Sequence, residues 1–158
     1  MADSQSAVNL MVPDFSAAST GGSPFSLAAQ AGKKIVMYFY PKDNTPGCTA
    51  ESIQFRELHG QFQQANTLIV GVSRDSLRSH DGFKGKLGLP YELISDPEEH
   101  LCNLFNVMRM KSMYGKSVRG VERSTFVIDA AGRLVKEWRG VKVTDHADEV
   151  LQFIKTLH

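Results

Sequence analysis

Short apolar runs alternate with helical segments through the middle of this chain, and that alternation most restricts what it can fold into. Ile35-Val36-Met37-Tyr38-Phe39-Tyr40, Thr67-Leu68-Ile69-Val70-Gly71-Val72-Ser73 and Tyr91-Glu92-Leu93-Ile94-Ser95 are continuous and short, as buried strands are. Between the first two, Phe55, Leu58 and Phe62 share one helical face and predict a helix over about 48–64. A polar helix over about 76–87 follows the second run and stops near Gly88. Asp96-Pro97-Glu98-Glu99 opens a third helix, reaching Asn106, with acidic residues where the helix dipole favours them. Strand–helix alternation of this kind implies parallel strands joined by right-handed crossovers.

The flanks are of two kinds. Ser124-Thr125-Phe126-Val127-Ile128 and Leu134-Val135-Lys136-Glu137-Trp138 bracket Asp129-Ala130-Ala131-Gly132-Arg133, the pattern of a β-hairpin. A last helix over about 145–156 presents Val150, Leu151 and Ile154. Residues 1–32 suggest only short edge strands, around Val12-Pro13-Asp14-Phe15, joined by turns such as Gly21-Gly22-Ser23-Pro24. The stretch from Met108 to Gly120 has no clean period, with Gly115 and Gly120 as breakers. The expected architecture is α/β, a central mixed β-sheet flanked by helices on both faces with an N-terminal β extension, in a single domain spanning 1–158.

Composition removes several classes of function. A formal net charge of +1 gives no global field toward nucleic acid or an anionic membrane. No apolar stretch is long enough to span a bilayer, and Met1-Ala2-Asp3-Ser4-Gln5-Ser6 has neither the basic start nor the apolar core of a secretory signal. The expected setting is therefore reducing and cytoplasmic, where the two cysteines, Cys48 and Cys102, stay thiols outside any redox cycle. They form no C-x-x-C pair, and His59, His80, His100, His146 and His158 share no metal-binding spacing, so neither a metal nor another cofactor is expected.

Cys48 is the residue with the setting of a nucleophile. It stands where the first strand hands over to a helix, through a turn built from Asn44, Pro46 and Gly47. Free backbone N–H groups and the positive end of the helix dipole there favour thiolate over thiol. The backbone N–H groups of Gly47 and Cys48 are candidate oxyanion donors. A buried packing cysteine is the plain alternative, but prolines, glycine and threonines around it make poor core and a good fixed loop.

Pro41, Thr45 and Cys48, in Pro-x-x-x-Thr-x-x-Cys spacing, resemble the peroxidatic motif of the peroxiredoxins. The wider string Tyr-Pro-Lys-Asp-Asn-Thr-Pro-Gly-Cys-Thr-Ala-Glu is most similar to the bacterioferritin-comigratory-protein (Q-type) subfamily. Val-Pro-Asp-Phe at 12–15, Gly-Val-Ser-Arg-Asp-Ser at 71–76, Met-Tyr-Gly-Lys at 113–116 and Arg-Ser-Thr-Phe-Val-Ile-Asp at 123–129 extend the likeness over nearly the whole chain. The resemblance implies a thioredoxin-like fold and reduction of hydrogen peroxide and organic hydroperoxides through a sulfenic acid on Cys48. It implies that the Thr45 hydroxyl bonds sulfur and peroxide, that Arg123 supplies charge and a donor fork, and that Pro41 fences the thiolate from water. Glu51, in the first helical turn, is read as structural, ordering arginines nearby.

The chain departs from that pattern in one respect. Many members of the subfamily carry a resolving cysteine five residues after the first, where this chain has Ile53, and another such site falls near Phe83-Lys84, again without cysteine. Cys102 remains, as a packing residue, as a resolver or as a contact between two subunits. The expected cycle is therefore one-cysteine, with thioredoxin, a glutaredoxin or glutathione as reductant and a monomer or weak dimer as the working form. Arg109, Lys111, Lys116, Arg119 and Arg123 cluster in sequence; with only Tyr114 to stack on a base, they are read as raising the potential at the thiolate rather than as a nucleic-acid patch. A non-catalytic redox sensor or holdase-type protein switched by Cys48 oxidation is the other reading, but such a protein has no use for the transition-state donors Thr45 and Arg123.

Overall fold

The computed structural model describes residues 7–157; Met1 to Ser6, on which the reading of the N-terminus rests, lie outside the described residues, as does His158. Five strands form the central sheet: β3 (Lys34–Phe39), β4 (Thr67–Ser73), β5 (Glu92–Ser95), β8 (Ser124–Ile128) and β9 (Leu134–Arg139), in the order β5-β4-β3-β8-β9. β3, β4 and β5 run parallel, while β8 pairs antiparallel with β3 and β9 antiparallel with β8. Both parallel crossovers step the same way across the sheet, so right-handedness puts α1 (Pro46–Gln64) and α2 (Leu77–Leu87) on one face. The last helix, α4 (His146–Ile154), packs beside α1.

Two apolar layers result, and the strand alternation decides which side chain joins which. Val36 and Tyr38 of β3, and Tyr40 just beyond it, point into the helical layer with Phe55, Phe62, Phe83, Val150 and Leu151. Ile35, Met37 and Phe39 point the other way, toward Phe105, Val121 and Phe126. Among the described residues that second face carries one short α-helix, α3 (His100–Leu104), and is completed by the N-terminal segment through Phe25 and Leu27. Cover by helices on both faces holds, unevenly. The predicted third helix is reduced to five residues, and the Asp96 carboxylate opens it by accepting from Leu101 N and Cys102 N.

α1 is tied to the sheet by a closed ring of hydrogen bonds. Tyr91 Oη donates to the Ser52 carbonyl at 2.9 Å, so it must accept from Tyr38 Oη at 2.7 Å. Tyr38 Oη in turn accepts from Ser52 Oγ at 2.9 Å. Gly71 makes room for this ring, because a Cβ there would lie 2.8 Å from Leu93 and 2.9 Å from Tyr38.

Two expectations need correction. The N-terminal extension pairs as β1 (Ser16–Ala17) with β2 (Phe25–Ser26), a few residues beyond the predicted edge strand. The aperiodic stretch after Met108 is a second hairpin, β6 (Met108–Met113) with β7 (Lys116–Val121). Its turn residues Tyr114 and Gly115 both have positive φ, 54° and 77°, which suits the twist of a two-residue hairpin. The hairpin projects with most of its residues exposed on either face, so no buried side imprints an alternation on its sequence.

Candidate active site

Cys48 occupies the third position of α1, where Thr45 is the N-cap and Pro46 the first helical residue. The first intrahelical bond runs from Thr49 N to Thr45 O. Pro46 has no N–H to offer, so the amides of Gly47 and Cys48 are the donors that precede that bond. Proline costs nothing at this position, and it fixes the turn that brings the sulfur off the end of β3. Cys48 is buried there, only 1% exposed.

Arg123 reaches Cys48 across 75 residues of sequence, and strand pairing is what brings it there. Phe39 at the end of β3 is in register with Ser124 at the start of β8, so the residue before β8 arrives beside the loop that leaves β3. Its Nη2 donates to Cys48 Sγ at 3.3 Å and its Nη1 to Glu51 Oε1 at 2.7 Å. Burial opposes the charge of Arg123, but the Glu51 carboxylate and the Cys48 sulfur outweigh it and hold the guanidinium above its ordinary value. Gly47 is a glycine for this contact: a Cβ would stand 3.1 Å from Nη2.

Glu51 is fully buried, and its Oε2 has no hydrogen-bond partner. Desolvation pushes its carboxyl up to about 7 even though the charge and hydrogen bond of Arg123 pull the other way. Its Oε1 anchors one arm of the Arg123 fork.

The other expected residues are placed less uniformly. The Thr45 hydroxyl donates to Lys42 O at 2.7 Å, so its proton braces the turn and is not given to the sulfur. Its oxygen lone pairs remain able to accept from a bound hydroperoxide. Pro41 is half-buried directly after Tyr40, at the head of the same loop. The basic cluster is divided by the hairpin. Arg119 pairs with Glu99 at 2.6 Å, and Arg109 lies 3.7 Å from Glu122. Lys111 turns toward Val121 O, and desolvation, then Arg123, hold its ammonium below its ordinary value.

Cys102 is not brought to the site. It is fully buried in the layer on the opposite face of the sheet from Cys48, where burial and then Asp96 push its thiol far up. A disulfide needs Cα atoms within about 7 Å, and a layer of sheet intervenes. The resolver reading of Cys102 is therefore set aside in favour of packing.

One group of side chains beside the site was not anticipated. Asp43 in the Cys48 loop, Asp75 after β4 and His80 on α2 place their polar atoms within 4.8 Å of one another. Spacings of histidine with histidine could not reveal it, because its members come from three separate segments.

The pattern of the AhpC/TSA family matches residues 8–137. The chain is an AhpC/TSA-family peroxiredoxin of the Bcp, or Q, type. It is 51% identical over 136 residues to peroxiredoxin Bcp of Xanthomonas campestris, covering 86% of this chain and 85% of that one. Peroxiredoxin Bcp of Bacillus subtilis is 48% identical over 145 residues, covering 92% of each chain. Among solved structures, the bacterioferritin comigratory protein of X. campestris superposes with a TM-score of 0.86 at 48% identity over 90% of each chain; that work describes its alkyl peroxide reduction activity. A mutant of the Xylella fastidiosa PrxQ superposes with a TM-score of 0.88 at 41% identity, over 96% of this chain and 98% of that one.

Proposed function

We propose that this peroxiredoxin is a thiol-dependent peroxidase acting on hydrogen peroxide and alkyl hydroperoxides. The observation that carries the reading is the Arg123 fork, which holds Cys48 Sγ with one arm and the buried Glu51 with the other at the start of α1. The relative of known structure for which alkyl peroxide reduction is described shares this fold and about half of its residues.

The chemistry follows from the groups present. A Cys48 thiolate attacks one peroxide oxygen; the S–O bond forms as the O–O bond breaks, leaving a sulfenic acid and expelling hydroxide or alkoxide, which takes up a proton. Charge moves from sulfur to the leaving oxygen along a line beside Arg123 Nη2 and the Gly47 and Cys48 amides, donors that need not reorganise as it moves. The Thr45 oxygen accepts the hydroperoxide O–H and aligns it. Pro41, half-buried at the head of the same loop, helps shield the sulfur from water. Two external thiols then reduce the sulfenic acid, releasing water and a disulfide and restoring Cys48. The absence of cysteine at Ile53 and the position of Cys102 both favour this one-cysteine cycle, with thioredoxin, a glutaredoxin or glutathione in a reducing cytoplasmic compartment as the source of thiols.

Peroxide consumption in the presence of dithiothreitol tests the reading. Wild type should consume hydrogen peroxide and an alkyl hydroperoxide catalytically, and Cys48→Ser should consume none. Full activity in Cys48→Ser, or none in wild type, would overturn it.

A further inference from the structure

The loop that carries Pro41 and Thr45 between β3 and α1 is held by a buried polar cluster that the chemistry above does not use. Asp43 sits at its centre with its side chain 1% exposed. Asp43 Oδ1 accepts from Tyr40 Oη at 2.7 Å, and Oδ2 accepts from Ser79 Oγ at 2.8 Å. Asp43 Oδ2 also meets His80 Nδ1 at 2.7 Å, while Asp43 N donates to Asp75 Oδ2 at 2.9 Å. One loop residue is thus fastened to the residue that follows β3, to α2 and to the segment just after β4.

The proton count of this cluster can be read from its partners. The other ring nitrogen, His80 Nε2, lies 2.9 Å from the carbonyl of Ile94, which can only accept, so Nε2 carries a hydrogen. Ser73 Oγ is a poorer partner for it, 3.4 Å away, and its own proton goes to Asp75 Oδ2 at 2.5 Å. On the other side Nδ1 faces a carboxylate oxygen. Burial works to raise the Asp43 carboxyl, but His80, Tyr40 and Ser79 outweigh it and hold it below its usual range. Two acceptors therefore flank the ring, and the pair holds one more proton than a neutral imidazole beside a carboxylate would. The ligand-like closeness of Asp43, Asp75 and His80 is that of a cluster whose oxygens already meet N–H and O–H donors.

We propose that Asp43 and His80 form a proton-bridged clamp that fixes the loop before α1, and that His80 is a positioning residue for the reaction of Cys48 with peroxide. The second half rests on the peroxidase reading; the first does not. Removing the bridging proton would leave the Nδ1 lone pair 2.7 Å from a carboxylate oxygen, a repulsion in a dry site that only movement of the loop relieves. The loop sets where Thr45 caps α1 and hence where the peroxide is aligned, and misplacement of about 1 Å at a reacting group can cost about a hundredfold in rate.

The ring nitrogens of His80 can be observed directly by 15N NMR of the reduced wild-type protein. The clamp requires both to be protonated at neutral pH, and a single protonated nitrogen overturns it. In Asp43→Asn the side-chain amide can donate to Nδ1, so the ring should become neutral with the proton on Nε2, and the rate constant of Cys48 with hydrogen peroxide should stay within a few-fold of wild type. His80→Phe fills the same space without either bond. It should speed exchange of the Asp43 amide hydrogen and lower that rate constant about tenfold or more. Unchanged exchange in a folded His80→Phe refutes the clamp; faster exchange with an unchanged rate constant refutes the positioning role. Wild-type protein that consumes no peroxide would sink the peroxidase reading and the positioning role with it, while the NMR and exchange results still decide the clamp.

Discussion

Arg123 shows what one residue does here that its sequence neighbours do not. Its two arms divide between a sulfur and a carboxylate, and the carboxylate has nothing else to hold it, since Glu51 Oε2 is orphaned in the core. An ionised carboxyl in such a place is held at a cost, so the Glu51 carboxyl rises from its ordinary 4.5 to about 7 in the folded protein. The unfolded chain loses this proton first as pH rises, so between about 4.5 and 7 the folded state binds more protons than the unfolded one. Stability should therefore fall as pH rises through that window, and level off above it. Urea midpoints measured across the window should show the decline in wild type and a flatter profile in Glu51→Gln. An equal slope in the two proteins would remove Glu51 as its cause.

At the scale of elements, α1 is placed by what lies beneath it. The Ser52–Tyr38–Tyr91 ring of hydrogen bonds clips the helix to the sheet one turn after Cys48, and Tyr38 can lie there because Gly71 leaves the space. Neither Leu93 nor the Tyr38 ring is free to retreat, both being fully buried. Gly71→Ala should accordingly cost about 1–3 kcal/mol in chemical denaturation, as overpacking of a filled core does. A neutral substitution would mean that the Tyr38 ring can shift without loss. The β6–β7 hairpin is the opposite case, formed by its turn and by pairing rather than by a buried face. Tyr114 at its tip is 99% exposed.

For the whole molecule, the central sheet is the partition that matters. It puts Cys48 in the helical layer and Cys102 in the other, so the two thiols cannot meet without the sheet opening. One equivalent of hydrogen peroxide should therefore add one oxygen to the intact mass of wild type, with no loss of two hydrogens, and Cys102→Ser should behave identically. A two-hydrogen loss in wild type that disappears in Cys102→Ser would make Cys102 the resolver after all. The same partition explains the uneven cover of the two faces: successive crossovers in one direction send α1 and α2 to one side, leaving the N-terminal extension to close the other.

The strand–helix alternation, the parallel crossovers, the β8–β9 hairpin and the place of Cys48 at the head of α1 were all written in local sequence, because burial on both faces and helical periodicity leave marks that neighbours in the chain share. Thr45, Gly47 and Cys48 were legible for the same reason, lying within one turn. What tertiary structure alone decided is which distant groups meet. The β3–β8 register delivers Arg123 to Cys48, the direction of the Thr45 proton follows from Lys42 O, and the Asp43–His80 pair joins a loop to a helix by way of β4 and β5. The β6–β7 hairpin escaped the sequence reading because it buries no face, and the fate of Cys102 did because layer assignment is a property of the folded sheet. Local patterns record periodicity and capping; contacts between segments depend on strand order and register, which leave no trace in any one stretch of the chain.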